Sequence, residues 1–143
     1  MRISQVMTRS VECVGPETSL CEAARRMRDL NVGPMPVCEN GRVIGMLTDR
    51  DIAIRAVADE MDPRATTVSQ VMTEGVCCCF DDQDVSEAAS LMQEKQIRRL
   101  VVLDHGNHLV GIVSLGDLAV KARDDEQSGE TLERISEPAR PGR

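Results

Sequence analysis

Apolar residues at Leu20, Ala23, Ala24 and Met27 recur at the spacing of one helical face, behind a Ser19 whose partner Glu22 stands three positions on. That pattern predicts a helix opening on a capping box. A short apolar run at 35–38 follows, then Asn40-Gly41 and a second apolar run at 43–47. Asn and Gly tolerate positive φ, so the two runs predict an antiparallel hairpin. The apolar stretch 11–14 reads as a strand ahead of the helix. A second helix is expected from near Thr48 through Ile52, Ile54, Ala56 and Val57, until Asp62-Pro63 interrupts it.

The whole pattern then returns. Ser4-Gln5-Val6-Met7-Thr8 recurs as Ser69-Gln70-Val71-Met72-Thr73, and residues 4–56 align with 69–122 when His108 is treated as an insertion. Copy two repeats the strand at 76–80 and the helix face at Val85, Ala88, Ala89 and Met92, behind Asp84 and Glu87. It repeats the hairpin runs at 100–103 and 109–113 around Gly106-Asn107, and a helix from Ser114. Each copy thus reads strand, helix, strand, strand, helix: an α/β (α+β) chain of two repeats, 1–62 and 63–122, with 59–68 as connector. A unit of this size buries only about 60% of its unfolded surface. The copies are therefore expected to share a core with pseudo-twofold symmetry and a cleft along the seam. Residues 123–143 are charged, carry two prolines, and read as a mostly disordered tail, with a short docking helix near 130–136 as the alternative.

Charge narrows the function. A net charge of −7 and a pI near 4.8 leave no basic footprint for nucleic acid or an anionic membrane. No apolar run approaches the ~18 residues of a membrane span, and Met1-Arg2-Ile3-Ser4-Gln5 has no signal-peptide core, so a cytoplasmic location is expected. In reducing cytosol the six cysteines are expected as thiols. Cys77, Cys78 and Cys79 would alternate faces on a strand and lack a Cys-x-x-Cys partner, so buried hydrophobes are favoured over a metal site. Cys13 and Cys38 fall on predicted strands that are candidate neighbours, which leaves a redox-dependent disulfide open. His105 and His108 share the copy-two turn and read as surface residues. No catalytic set emerges, and the chain is read as a non-enzyme.

The candidate chemistry lies where each hairpin runs into its second helix. Gly45-Met46-Leu47-Thr48-Asp49-Arg50-Asp51 and Gly111-Ile112-Val113-Ser114-Leu115-Gly116-Asp117 share a glycine, a hydroxyl and, three residues on, an aspartate. A helix N-terminus presents unpaired N–H groups that suit phosphate, and an aspartate one turn later suits the two hydroxyls of a ribose. The same residues also read as capping boxes that only start helices. Duplication and the preceding glycines favour the binding reading, since a strand glycine often marks close approach of ligand or backbone.

With these motifs and with Met35-Pro36-Val37, residues 1–122 resemble a pair of cystathionine-β-synthase (CBS) domains, a Bateman module. The resemblance implies a regulatory module that binds an adenosine ligand in symmetry-related clefts, AMP, ADP or ATP, with NAD or S-adenosylmethionine as further options and no metal. One cleft would join Ser114 and Asp117 to residues 7–12 and to Val32, Gly33 and Pro34. The other would join Thr48 and Asp51 to residues 72–77 and to Ile97, Arg98 and Arg99. Arg50, Arg98 and Arg99 would make the Thr48/Asp51 cleft the more positive. With Phe80 as the single aromatic, an adenine must lie between aliphatic groups such as Val11, Val32, Val76 and Ile97. The resemblance also implies a homodimer, packed through helices such as those carrying Ala23-Ala24 and Ala88-Ala89, and a downstream protein that receives the signal. Two other readings stand beside it: a redox or metal sensor using Cys13 and Cys38 or Cys77 to Cys79, and a purely structural dimerisation unit.

Overall fold

The computed structural model describes residues 1–9, 11–121 and 135. The described elements are α1 (Leu20–Leu30), β1 (Pro34–Glu39), β2 (Arg42–Thr48), α2 (Asp49–Asp51), β3 (Thr73–Glu74), β4 (Cys78–Phe80), α3 (Val85–Lys95), β5 (Arg99–Leu103), β6 (Leu109–Ser114) and α4 (Leu115–Lys121), with 3-10 turns at Ile3–Gln5 and Val68–Gln70. They form two compact units. One draws on Met1–Ser10 and Cys77–Arg143, the other on Val11–Val76. Each unit therefore combines the body of one copy with the leading segment of the other.

The Ser19 side chain accepts from Glu22 N–H, one half of the capping box expected there, whereas in copy two Asp84 and Glu87 close the full reciprocal box. Both helices end on a left-handed residue, Asn31 (φ 55°) and Gln96 (φ 53°), whose N–H caps the last turn. Asn40 (φ 52°) and Gly41 (φ 79°) make the β1–β2 turn. In copy two Asp104 organises the longer turn, its Oδ1 accepting from Gly106 N–H at 2.8 Å and His108 N–H at 2.9 Å.

Each unit holds one three-stranded sheet, β1-β2-β3 in one and β4-β5-β6 in the other. The strand expected at 11–14 shrinks to one parallel bridge, Val14 to Val37, whereas its counterpart β4 pairs in parallel with β5. β3, which the apolar pattern does not announce, adds Glu74 and Thr73 beside Gly45 and Met46. Its counterpart in the other unit is the bridge from Thr8 to Ile112.

Each unit has its own cluster of buried residues. Ile3, Val6 and Met7 pack with Val85, Ala88, Ala89, Met92, Leu100, Val102 and Val113. Val68 and Val71 pack with Leu20, Ala23, Met27, Met35, Val37 and Leu47. The exchanged segment supplies the apolar surface that a repeat of this size lacks by itself. Ala23, Ala88 and Ala89 are spent in these cores, at 0%, 0% and 1% exposure. The second helix of copy one departs from expectation, because after Asp51 it widens into a π-helix over Ile52–Val57. The tail expectation for 123–143 lies outside the described residues except at Ile135, which is helical and packs on the copy-two cluster.

Candidate functional site

β2 ends at Thr48 and β6 ends at Ser114, and both strands turn directly into helices. Thr48 N–H donates to Asp51 Oδ2 at 3.0 Å, and Asp51 N–H returns a bond to Thr48 Oγ1 at 3.0 Å. In copy two Ser114 N–H donates to Asp117 Oδ2 at 2.9 Å, and Asp117 N–H donates to Ser114 Oγ at 3.0 Å. These are capping boxes, as the plainer reading held. They occupy only one oxygen of each carboxylate. Oδ1 of Asp51 faces Arg55 Nη2 at 3.9 Å, and Oδ1 of Asp117 faces Lys121 Nζ at 3.6 Å.

The two aspartates are unequally covered. The Asp51 side chain is 11% exposed, and Asp51 is the one charged residue buried among the described residues, while the Asp117 side chain is 17% exposed. Arg55 also donates through Nη1 to Val71 O at 3.0 Å, Met72 O at 3.3 Å and Thr73 Oγ1 at 3.3 Å, tying the segment before β3 to the copy-one helix. Sequence reasoning passed over Arg55 and Lys121. Their signal was the i, i+4 spacing from each aspartate.

Backbone bonds bring the segments that lead into β1 and β5 to the helix starts. Asp49 N–H donates to Gly33 O at 3.0 Å, and Leu115 N–H donates to Arg98 O at 2.8 Å. Pro34 is the register partner of Thr48, and Arg99 of Ser114. Within its unit, then, Thr48 with Asp51 stands beside Gly33 and Pro34, whereas Ser114 with Asp117 stands beside Arg98 and Arg99. The pairing expected across copies had set these arginines against Thr48. Register places Arg99 on the Ser114 face of its sheet, because partner side chains in an antiparallel pair leave on the same side. Arg50, Arg98 and Arg99 are exposed. Val32 is 40% exposed, while Ile97 lies partly buried against the copy-two cluster.

Of the two close approaches expected at the strand glycines, ligand or backbone, the structure shows backbone. A Cβ on Gly45 would lie 2.8 Å from both Met72 Sδ and Thr73 O, and on Gly111 2.7 Å from both Met7 Sδ and Thr8 O. What approaches closely is the exchanged backbone segment.

Cys78 and Cys79 are not activated nucleophiles. Burial, and then the charge of Cys78, push Cys79 up to about 12. Burial and then Cys77 raise Cys78, whereas nucleophilic thiols need the opposite shift. Among the described residues no three His, Cys, Asp or Glu side chains are placed to hold a metal ion. His105 and His108 sit on the exposed turn, paired with Asp82 at 2.6 Å and Asp104 at 3.1 Å, and Phe80 stacks on His105. A shallow groove of about 420 Å³ runs along β4 and α3, but Glu87 and Glu94 on its wall are the wrong sign for phosphate. No described helix is long and apolar enough to cross a membrane.

The CBS-domain family model matches residues 3–57 and 68–123. The CBS domain-containing protein YhcV of Bacillus subtilis (strain 168) is 44% identical over 134 residues, 94% of each chain. The crystal structure of Hypoxic Response Protein I with two coordinated zinc ions superposes with a TM-score of 0.74 at 34% identity, covering 85% of this chain and 98% of that one. The CBS domain pair of protein MJ0100, in complex with 5-methylthioadenosine and S-adenosyl-L-methionine, gives a TM-score of 0.73 at 25% identity over 83% of this chain and 97% of that one.

Proposed function

The chain belongs to the CBS-domain family, whose stand-alone pairs are regulatory and not catalytic, and on that premise we propose that it senses an adenine nucleotide through the two aspartate sites and passes the bound state to a protein partner. One observation carries the reading. Each capping box uses Oδ2 and the hydroxyl of its own loop, and turns Oδ1 towards a cation, at Asp51 and again at Asp117. A ribose offers two hydroxyl donors to that oxygen, and the neighbouring cation suits the phosphate that follows.

Thr48, Asp51, Arg50, Val32, Gly33 and Pro34 would serve one site, and Ser114, Asp117, Ile97, Arg98 and Arg99 the other. Arg99, on the Ser114 face, is the phosphate-binding group we assign to the second site. A bound nucleoside in a neighbouring CBS pair, MJ0100, supports the ligand class. Signalling requires that the ligand bind one arrangement of the protein better than another.

The module works as a homodimer in this reading. Ile54 and Val57 in one unit are 52% and 68% exposed, and Val120 in the other is 76% exposed, apolar groups open to a second copy. Calorimetry of nucleotide-stripped protein against AMP, ATP, NAD and S-adenosylmethionine tests the proposal. Saturable binding of an adenosine ligand is the expected result, and absence of heat with every ligand in folded protein overturns it.

A further inference from the structure

Cys13 and Cys38 belong to one compact unit and lie on neighbouring extended segments. Val14 N–H donates to Pro36 O at 3.0 Å, and Cys38 N–H donates to Val14 O at 2.9 Å, around the parallel bridge of Val14 with Val37. Both valines point into the core, at 1% and 0% exposure. Successive side chains of an extended chain alternate faces. Cys13, just before one valine, and Cys38, just after the other, therefore both turn to the opposite face. There the two half-buried thiols meet, hydrogen-bonded side chain to side chain. The other thiols are placed differently: Cys79 is 5% exposed and donates to Val101 O at 3.7 Å, and Cys21 lies on α1.

We propose that Cys13 and Cys38 form a modification site, oxidised by a peroxide to an intramolecular disulfide that staples the segment ahead of α1 to β1. The Cys13 sulfur attacks one peroxide oxygen, forming an S–O bond as the O–O bond breaks, and the leaving hydroxide takes up the thiol proton as water. The Cys38 sulfur then attacks the sulfenic sulfur of Cys13, and its proton leaves with the displaced hydroxyl as a second water. Two thiols and one hydrogen peroxide thus give one disulfide and two waters. Burial, with the hydrogen bond and the neighbouring Cys13, pushes the Cys38 thiol up to about 12. Attack begun by Cys38 instead would give the same disulfide by the same two steps. The staple lands on β1, whose first residue, Pro34, is the register partner of Thr48. Oxidation then stiffens the strand beside one of the aspartate sites, although the disulfide itself does not depend on nucleotide binding.

Peptide mapping of the full-length protein tests this in a Cys21→Ser background, where tryptic peptide 10–25 carries Cys13 as its one cysteine and peptide 29–42 carries Cys38. After hydrogen peroxide, thiol blocking and digestion without reductant, the two peptides are expected to be joined, in a chain two hydrogens lighter that melts at a higher temperature. Adding Cys38→Ser is expected to abolish the link and to leave a sulfenic acid on Cys13 that a cyclic diketone captures. Cys13 and Cys38 both recovered as blocked thiols, or joined to other cysteines or to another chain, would overturn the proposal.

Discussion

Asp51 gives Thr48 one carboxylate oxygen and keeps the other for Arg55: Oδ2 accepts from Thr48 N–H at 3.0 Å, while Oδ1 lies 3.9 Å from Nη2. The same division recurs at Asp117, between Ser114 and Lys121. A cap with nothing else to do would not need a duplicated arrangement with a cation behind its second oxygen. Capping and ligand binding are thus compatible roles of one side chain, served by different atoms.

Segment exchange predicts where the fold is vulnerable. Ile3 and Val68 are both 0% exposed, each inside the core of the copy it does not lead. Truncating a fully buried Ile to Ala costs about 2–5 kcal/mol through lost transfer free energy and the cavity left behind. Ile3→Ala is expected to lower the unfolding free energy from urea denaturation by that amount, although it is the third residue of the sequence. A change below about 0.5 kcal/mol, the range of ordinary surface substitutions, would show that the leading segment does not complete that core.

Arg99 should discriminate among nucleotides by their phosphates. A charge-assisted hydrogen bond contributes about 1.5–3 kcal/mol, and about 1.4 kcal/mol is tenfold in affinity. Arg99→Ala is therefore expected to weaken a triphosphate ligand about tenfold or more, and AMP less. Equal affinities for ATP in wild type and variant would remove Arg99 from the site.

The Asp82–His105 pair carries a pH signature. Its hydrogen bond, reinforced by the charge of Asp82, raises His105 above its ordinary 6.5, and the same bond lowers Asp82 below 3.8. The stability from His105 is fully present below its unfolded pKa and fades as pH rises through the raised folded value. That from Asp82 is present above its unfolded pKa and fades as pH falls through the lowered one. The pair thus acts between these limits, weakly, because both side chains are exposed. NMR titration of the His105 ring should give a pKa above 6.5 that returns towards it in Asp82→Asn. Identical titrations in the two proteins would contradict the pairing.

Local chemistry was legible in the sequence, and partner choice was not. Ser19, Asp84 and Asn40-Gly41 act within a few residues, so their signals survive in any tertiary setting. The repeated pentapeptide is the same in both copies, and nothing in it says which body it packs on. That ambiguity hid the exchange of Ile3 and Val68, and with it the reason for Gly45 and Gly111. It also hid the pairing of Arg99 with Ser114, because register is a property of the paired strands and not of either one alone. The π-helix after Asp51 left no apolar mark, since Ile54 and Val57 keep helical spacing while facing outward.

The account rests most directly on the aspartates as ribose acceptors. Calorimetry of nucleotide-stripped wild type, Asp51→Ala, Asp117→Ala and the double variant against an adenosine ligand measures this, with thermal melting alongside. Loss of a cap costs about 0.5–2 kcal/mol, so each single variant should still unfold cooperatively at a modestly lower temperature. Each is predicted to lose the site it serves, and the double variant to bind nothing. A folded double variant that binds with the wild-type stoichiometry and affinity would contradict the account and leave the aspartates as caps alone.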